Sequence, residues 1–154
     1  MLCVTTIRRA TPEEAVTLTN IALAAKRHWG YPEHWIKHWE ADLTISPEFI
    51  EGNEVYVAES DGETSGFYAV IVSDSEAELE HMWVLPDYIG TGIGKELFLD
   101  AMSRASELRV REIGITADPN AAGFYERMGA LRVGDLNSEI DGSPRKLPRL
   151  KIEP

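Results

Sequence analysis

Three glycines at alternate positions, Gly90, Gly92 and Gly94, have the spacing that most clearly suggests chemistry in this chain. They follow a strand-like segment that stops at Pro86, and Lys95 then begins a run of good helix formers. A glycine loop that leads into a helix presents free main-chain N–H groups and the positive end of the helix dipole to an anion. Because glycine has no Cβ atom, a phosphate can approach the backbone closely. The spacing therefore predicts a loop that binds a pyrophosphate.

Two common nucleotide-binding loops do not fit this spacing. A P-loop requires G-x-x-x-x-G-K-[ST], but Glu96 stands where the magnesium-binding hydroxyl should be, and Ile89 replaces the first glycine. A dinucleotide fingerprint requires G-x-G-x-x-G after a parallel strand. Here the last interval is too short, and the preceding strands are predicted to be antiparallel. If the loop is not coincidental, we expect it to bind another kind of phosphate-bearing molecule.

The elements that position the loop follow from hydrophobic periodicity and turn residues. Thr11 and Pro12 begin a first helix that is expected to end at His28, before Gly30. The glycine loop joins the fourth strand to a helix and then to a fifth strand, which a right-handed crossover makes parallel to the fourth. The predicted strands lie at residues 5–9, around 55–57, and at 66–72, 78–85, 112–117, 131–136 and 147–152, with further helices from residue 32, after the loop and at 121–128. This order predicts an α+β fold in one domain, residues 1–154.

Composition and charge restrict the partners. The chain has 26 acidic and 15 basic residues and a formal net charge of −11, which argues against a nucleic-acid partner and suits a small or cationic substrate. No apolar run approaches the roughly 20 residues of a membrane span, and no signal peptide is evident. The single cysteine, Cys3, cannot form an internal disulfide, and no Cys/His spacing suggests zinc. We expect a cytoplasmic protein with no membrane partner and no metal.

The glycine loop and a later segment together resemble a known family. The pattern V-x-P-x-Y followed by x-G-x-G-x-G and a helix, which begins at Val84, is similar to motif A of the GNAT superfamily of acyl-CoA-dependent N-acyltransferases. The segment ADPNAAGFYERMGA, residues 117–130, resembles the strand end and short tyrosine-bearing helix that follow in this family. The resemblance covers nearly the whole chain. It implies a mixed, largely antiparallel central sheet with helices on both faces and with strands four and five splayed apart.

The resemblance implies acetyl-CoA as the acyl-donor cosubstrate, bound where strands four and five separate. Its pantetheine would pair with the main chain of strand four, and its pyrophosphate would bind the N–H groups of the glycine loop. The family usually has Arg or Gln at the position of Ile89, so we expect backbone groups to provide the binding here. Lys95 could add charge or could be a solvated helix residue. The implied CoA-binding residues are Met82, Trp83, Val84, Ile89, Gly90, Thr91, Gly92, Ile93, Gly94, Lys95, Asn120 and Tyr125.

Acyl transfer to an amine requires the amine to lose a proton, and the leaving thiolate benefits from gaining one. The resemblance implies Tyr125 as the general acid, although its ring could simply pack on the sheet. For the base, strict alternation places Glu78 and Glu80 on one face of strand four and His81 on the other. Glu80 is the first candidate, Glu78 the second and His81 the third, with an ion-paired carboxylate or a water chain as alternatives. Cys3 has no evident base beside it and is not expected to be a nucleophile.

The resemblance implies an acceptor site bordered by the first two helices and the last pair of strands. His28, Trp29 and Tyr31 lie at the junction of these helices, where loop aromatics often meet ligands. We expect them, together with Glu80, to bind the substrate. Residues 137–146 are predicted to form a loop that could cover the site or take part in a homodimer.

The leading hypothesis is therefore an enzyme, an N-acetyltransferase that transfers an acetyl group by direct attack of an amine. Its acceptor would be the primary amine of a small molecule or peptide. The alternative is a non-catalytic CoA-binding sensor or regulatory module.

Overall fold

The computed structural model describes residues 5–154, so the prediction for Cys3 lies outside the described residues. Within this range seven strands form one sheet and five α-helices pack on it. The helices are α1 (Ala15–His28), α2 (Glu33–Leu43), α3 (Pro47–Gly52), α4 (Ile93–Glu107) and α5 (Ala122–Arg127). The strands are β1 (Thr5–Arg9), β2 (Glu54–Ser60), β3 (Glu63–Ser73), β4 (Glu76–Val84), β5 (Glu112–Thr116), β6 (Leu131–Ile140) and β7 (Ser143–Ile152).

The sheet has the order β1-β2-β3-β4-β5-β7-β6. All neighbouring strands are antiparallel except β4 and β5, which are parallel. This confirms the predicted mixed, largely antiparallel α+β architecture. The parallel pair is the one that the glycine loop and α4 connect.

Hydrophobic residues on the two faces of the sheet form two separate cores. Along β3, Phe67 and Ala69 pack against α1 and its neighbours, whereas Tyr68 and Val70 pack on the side of α4. This period of two is expected of a strand covered on both faces. Helices α1 to α3 therefore cover one face, and α4 and α5 cover the other.

Strands β4 and β5 separate after a short stretch of pairing. They pair at only three positions, of which Glu78 opposite Gly114 is the last, and β4 then continues to Val84. A β-bulge also interrupts β4, because Ala69 of β3 pairs with His81 and the next residue of β3 pairs with Leu79. Glu80 is the extra residue. The predicted splaying of these two strands is confirmed.

The prediction of a loop at residues 137–146 is wrong. Strands β6 and β7 continue through this segment to a two-residue turn, Asp141-Gly142, in which both residues have positive φ angles of 50° and 75°. An Asp-Gly pair is a strong signal for a tight hairpin turn. The polar residues on either side suggested a loop, but they belong to an exposed hairpin.

Candidate active site

A cleft of about 600 Å³ opens where β4 separates from β5. Its walls include residues from both faces of the sheet. Met82 and Val84 pack against the core on the side of α4, whereas Trp83 packs against the core on the side of α1. The cleft therefore borders both faces of the sheet. The main-chain groups of β4 beyond Glu78 have no partner in β5 and border this opening.

The glycine loop forms one part of the cleft wall. A 3₁₀ turn at Pro86–Tyr88 leads into it, and Gly90 and Gly92 adopt left-handed φ angles of 82° and 90°. Helix α4 begins directly after Gly92, and its first-turn N–H groups have no intrahelical acceptor. A Cβ atom built on Gly90 or Gly92 would meet nothing within 4 Å, so the space beside the loop is open. This geometry suits a phosphate.

Tyr125 lies in α5 and is only 7% exposed. Its ring packs against Phe98 and Phe124, with centroids 5.9 and 5.3 Å away. Burial raises the pKa of the Tyr125 hydroxyl above its ordinary value, so the hydroxyl stays protonated at neutral pH. No group among residues 5–154 hydrogen-bonds this hydroxyl, and Tyr125 lines the cleft. It is therefore a free donor available to a ligand.

The two glutamates of β4 have different surroundings. Glu80, the bulged residue, is exposed and lines the cleft. Glu78 accepts two hydrogen bonds from Arg149, one of them at 2.7 Å from Nη1, and it does not line the cleft. The predicted role of Glu78 as a base is not supported by this position, because its carboxylate is already paired.

His81 lies on the side of α1 rather than in the cleft. Trp83 Nε1 donates a hydrogen bond to His81 Nδ1 at 3.1 Å, and the imidazole packs against Phe49 and Phe67. Burial lowers the pKa of His81 to about 4, so the ring is neutral at physiological pH. The bulge explains why strict alternation failed: Leu79 and Met82 both reach the core near α4, so the residues between them do not alternate. His81 thus helps to fix Trp83.

A buried polar cluster forms part of the cleft wall at the end of β5, where Asp118 is one of the lining residues. Lys26 Nζ lies 2.8 Å from Asp118 Oδ2, and the two side chains are 11% and 7% exposed. Tyr31 donates to the same carboxylate at 3.0 Å and accepts from Arg145 Nη2 at 2.9 Å. Asp118 also accepts from the Asn120 main-chain N–H at 2.9 Å. The cluster ties α1, the α1–α2 junction and the hairpin to the segment that carries Asn120.

Burial and charge in this cluster act in opposite directions. Burial lowers the pKa of Lys26, although the neighbouring Asp118 opposes this. Burial alone would raise the pKa of Asp118, but hydrogen bonds and the charge of Lys26 hold it below its ordinary value. Burial and Asp118 together raise the pKa of Tyr31 to about 12. Asp118 therefore remains a carboxylate shared between two cations, since Arg145 Nη2 lies 3.8 Å from it.

The structure brings most of the residues predicted for the site into one cleft. Those that line it are Trp29, Glu80, Met82, Trp83, Val84, Ile89, Gly90, Gly92, Gly94, Lys95, Asn120 and Tyr125. Thr91 is exposed and donates to Tyr88 O at 2.5 Å, whereas Ile93 is 2% exposed and anchors the start of α4 in the core. Tyr31 reaches the cleft only through Asp118 and Asn120, and His28 lies outside the lining.

Sequence reasoning missed the residues of the polar cluster. Asp118 lies in the segment just before α5, and Lys26 lies in the last turn of α1, so neither position was predicted to belong to the site. The available signal was an acidic residue directly after a buried strand, a position at which functional side chains often occur. Arg145 could not be placed without knowing that its segment is a hairpin strand.

The described residues contain no group of three or more His, Cys, Asp or Glu side chains arranged to hold a metal ion. None of the helices in the described range is long and apolar enough to cross a membrane. The cytoplasmic location and the homodimer stay predictions.

Comparison with known proteins identifies acetyltransferases as relatives of this chain. Residues 51–129 match the acetyltransferase (GNAT) domain family. A 5-NmdU N-acetyltransferase of Pseudomonas phage PaMx11 is 26% identical over 132 residues, which are 84% of this chain and 89% of the relative.

Solved structures share the fold over nearly their whole length. The PaiA N-acetyltransferase of Thermoplasma acidophilum in complex with coenzyme A superposes with a TM-score of 0.77 at 22% identity, covering 97% of this chain and 99% of that one. The ribosomal-protein-S18-alanine N-acetyltransferase of Escherichia coli gives a TM-score of 0.73 at 18% identity, with 97% and 94% coverage.

The fold, the splayed strands and the glycine loop place this protein among the acyltransferases. The chain belongs to the GNAT acetyltransferase family, because the family match covers more than half of its residues.

Proposed function

We propose that this protein transfers an acetyl group from acetyl-CoA to the primary amine of a small molecule or peptide. The observation that carries the proposal is one continuous cleft that joins an open glycine loop to the unpaired hydroxyl of Tyr125, a residue whose ring is largely buried. An anionic cosubstrate with a long arm would fit between these two features. The coenzyme A complex of the Thermoplasma fold relative supports this choice of donor.

In this proposal the pyrophosphate binds the free N–H groups within residues 89–95, and Lys95 adds a positive charge at the edge of the loop. The N–H groups of Ile89 and Thr91 already donate to Pro86 O and Tyr88 O, so Gly90 and the residues from Gly92 onward supply the binding. The pantetheine arm lies along Met82, Trp83 and Val84, where the main chain of β4 has no partner in β5. Asn120 borders the arm from the opposite wall. The side chain of Ile89 is 48% exposed beside the loop and brings no charge, so main-chain groups supply most of the anion binding.

The chemistry is a direct displacement without an acyl-enzyme intermediate. The amine nitrogen attacks the thioester carbonyl, the C–N bond forms, and the C–S bond breaks with its electron pair leaving on sulfur. Glu80, directly or through water, takes the proton that the amine loses. Tyr125 donates a hydrogen bond to the developing thiolate. Because burial raises the pKa of Tyr125, hydrogen-bond donation is favoured over complete proton transfer to a thiolate of pKa about 8.5.

The acceptor enters from the side of α1, where Trp29 and Glu80 line the cleft. The carboxylate of Glu80 and the net charge of −11 favour a cationic amine. The phage relative is named for N-acetylation, which supports transfer to nitrogen. A non-catalytic CoA-binding module is the second candidate, since the loop and cleft alone would suffice for it.

The test is release of CoA from acetyl-CoA in the presence of a panel of amines that includes aryl, alkyl, polyamine and peptide amines. An acetyltransferase should release CoA faster than background with at least one class of amine. Thermal stabilisation by CoA without turnover on any amine would favour the sensor. No stabilisation by CoA would contradict both readings.

A further inference from the structure

Two indole side chains line the cleft from the face that the acceptor would enter. Trp83 comes from β4 and Trp29 from the end of α1. Trp29 is 41% exposed and lines the cleft, so part of its side chain is accessible to a ligand there. Tyr125 and Phe124, the aromatic residues of α5 in the cleft, belong instead to the α4 side.

Both indoles are held by their surroundings. Trp83 Nε1 donates to His81 Nδ1 at 3.1 Å, and the depressed pKa of His81, about 4, keeps that nitrogen free to accept at physiological pH. The indole N–H is thus already used, and Trp83 offers a ligand its ring rather than a donor. Trp29 packs edge-on against His28 at 5.6 Å, next to Gly30 with its φ of 81°.

The carboxylate of Glu80 lies on β4, the strand that also carries Trp83. Glu80 lies three residues before Trp83, a separation of roughly 10 Å along a strand. The bulge at Glu80 shifts the alternation of β4, so that His81 and Trp83 follow on the face of α1. An ammonium held by Glu80 would therefore direct a short-linked substituent along β4 toward Trp83, in the cleft that Trp29 also lines.

We infer that the acceptor is a primary amine joined by a short linker to a planar, conjugated ring, aromatic or heteroaromatic, which stacks on Trp29 and Trp83. This inference deepens the proposed function and depends on it. Planar rings gain from stacking on aromatic side chains, whereas a saturated ring of the same size gains only from apolar contact. Glu80 recognises the charge, and the indoles recognise the flat ring.

The experiment compares benzylamine with cyclohexylmethylamine, which share the ammonium, the methylene and a six-membered ring. The measured quantity is the ratio of their kcat/KM values, first for the wild type and then for Trp29→Leu. Dividing the two ratios cancels the difference in basicity between the amines. We expect the preference for benzylamine to fall about fivefold or more in Trp29→Leu, mainly through KM, and to be kept in Trp29→Phe.

Trp35→Leu is the matched control, because Trp35 stacks on Tyr31 and does not line the cleft. It should leave the ratio unchanged whatever it does to stability. An unchanged ratio in Trp29→Leu, or a change only in the affinity for CoA, would overturn the inference. So would acetylation of aliphatic or peptide amines in preference to ring amines, which would leave the proposed function standing. No turnover with any amine would instead refute the proposed function itself.

Discussion

Replacing Gly90 with alanine tests whether the glycine loop binds the pyrophosphate. Gly90 has a left-handed φ of 82°, and its added Cβ would meet no atom of the protein within 4 Å. The direct cost to the free protein is therefore backbone strain rather than a clash. The same Cβ would protrude into the open space where we place the phosphate, and relief of the strain would turn the N–H groups away from it.

The two effects have different sizes and different readouts. A left-handed conformation costs an L-residue about 1–2 kcal/mol. For a chain of this length that corresponds to a fall in Tm of about 2–8 °C. Loss of one charge-assisted hydrogen bond costs about 1.5–3 kcal/mol, so the Kd for CoA should rise about tenfold or more.

Gly142→Ala provides the matched control. Gly142 has a φ of 75° and, like Gly90, has no atom within 4 Å of a built Cβ, but it lies in the hairpin turn away from the cleft. Calorimetry should show similar falls in Tm for both variants, and titration should show weaker CoA binding for Gly90→Ala alone. Equal affinities in the two variants would refute the assignment of the loop.

Three further variants test other parts of the site. Tyr125→Phe keeps the packing against Phe98 and should lower kcat about 100-fold or more while changing the Kd for CoA little, as steady-state rates and titration would show. Asp118→Asn leaves the buried Lys26 without its counter-charge and should lower the free energy of unfolding in urea by about 3–5 kcal/mol. Adding Lys26→Met should recover part of this loss. Full stability of the single variant would contradict the stabilising role of the Lys26–Asp118 ion pair. His81 has a folded pKa of about 4, below the ordinary 6.5, so its contribution is complete above pH 6.5 and is lost as the pH falls through 4. The wild type should therefore lose on the order of 3 kcal/mol more than His81→Gln between pH 6.5 and 4, and parallel stability curves would contradict the shift.

The elements around the glycine loop could be predicted from the sequence because their signals are local. Gly90 and Gly92 stand where the chain needs left-handed angles, and Thr11-Pro12 and Gly30 mark the ends of the first helical region. Alternating apolar residues identify the strands whichever partners they have. The parallel pairing of β4 with β5 followed from the crossover that the loop requires, whereas the pairing of β5 with β7 was not predicted.

The features that local signals do not determine were missed. The bulge at Glu80 depends on how β4 pairs with β3, and it moved His81 relative to the expected face. The cluster around Asp118 joins Lys26 and Arg145, residues from opposite ends of the chain. Such contacts follow from tertiary packing, so residue type alone could not reveal them. Glu78 illustrates the same limit, because its partner Arg149 lies on β7.

The most direct test of the central claim is a product balance for the wild-type protein with acetyl-CoA and a reactive amine. The free CoA released and the N-acetylated amine formed would be quantified in the same samples over time. The proposal predicts equal amounts of both products and a rate that saturates with each substrate. Binding of CoA with neither product above background would contradict it.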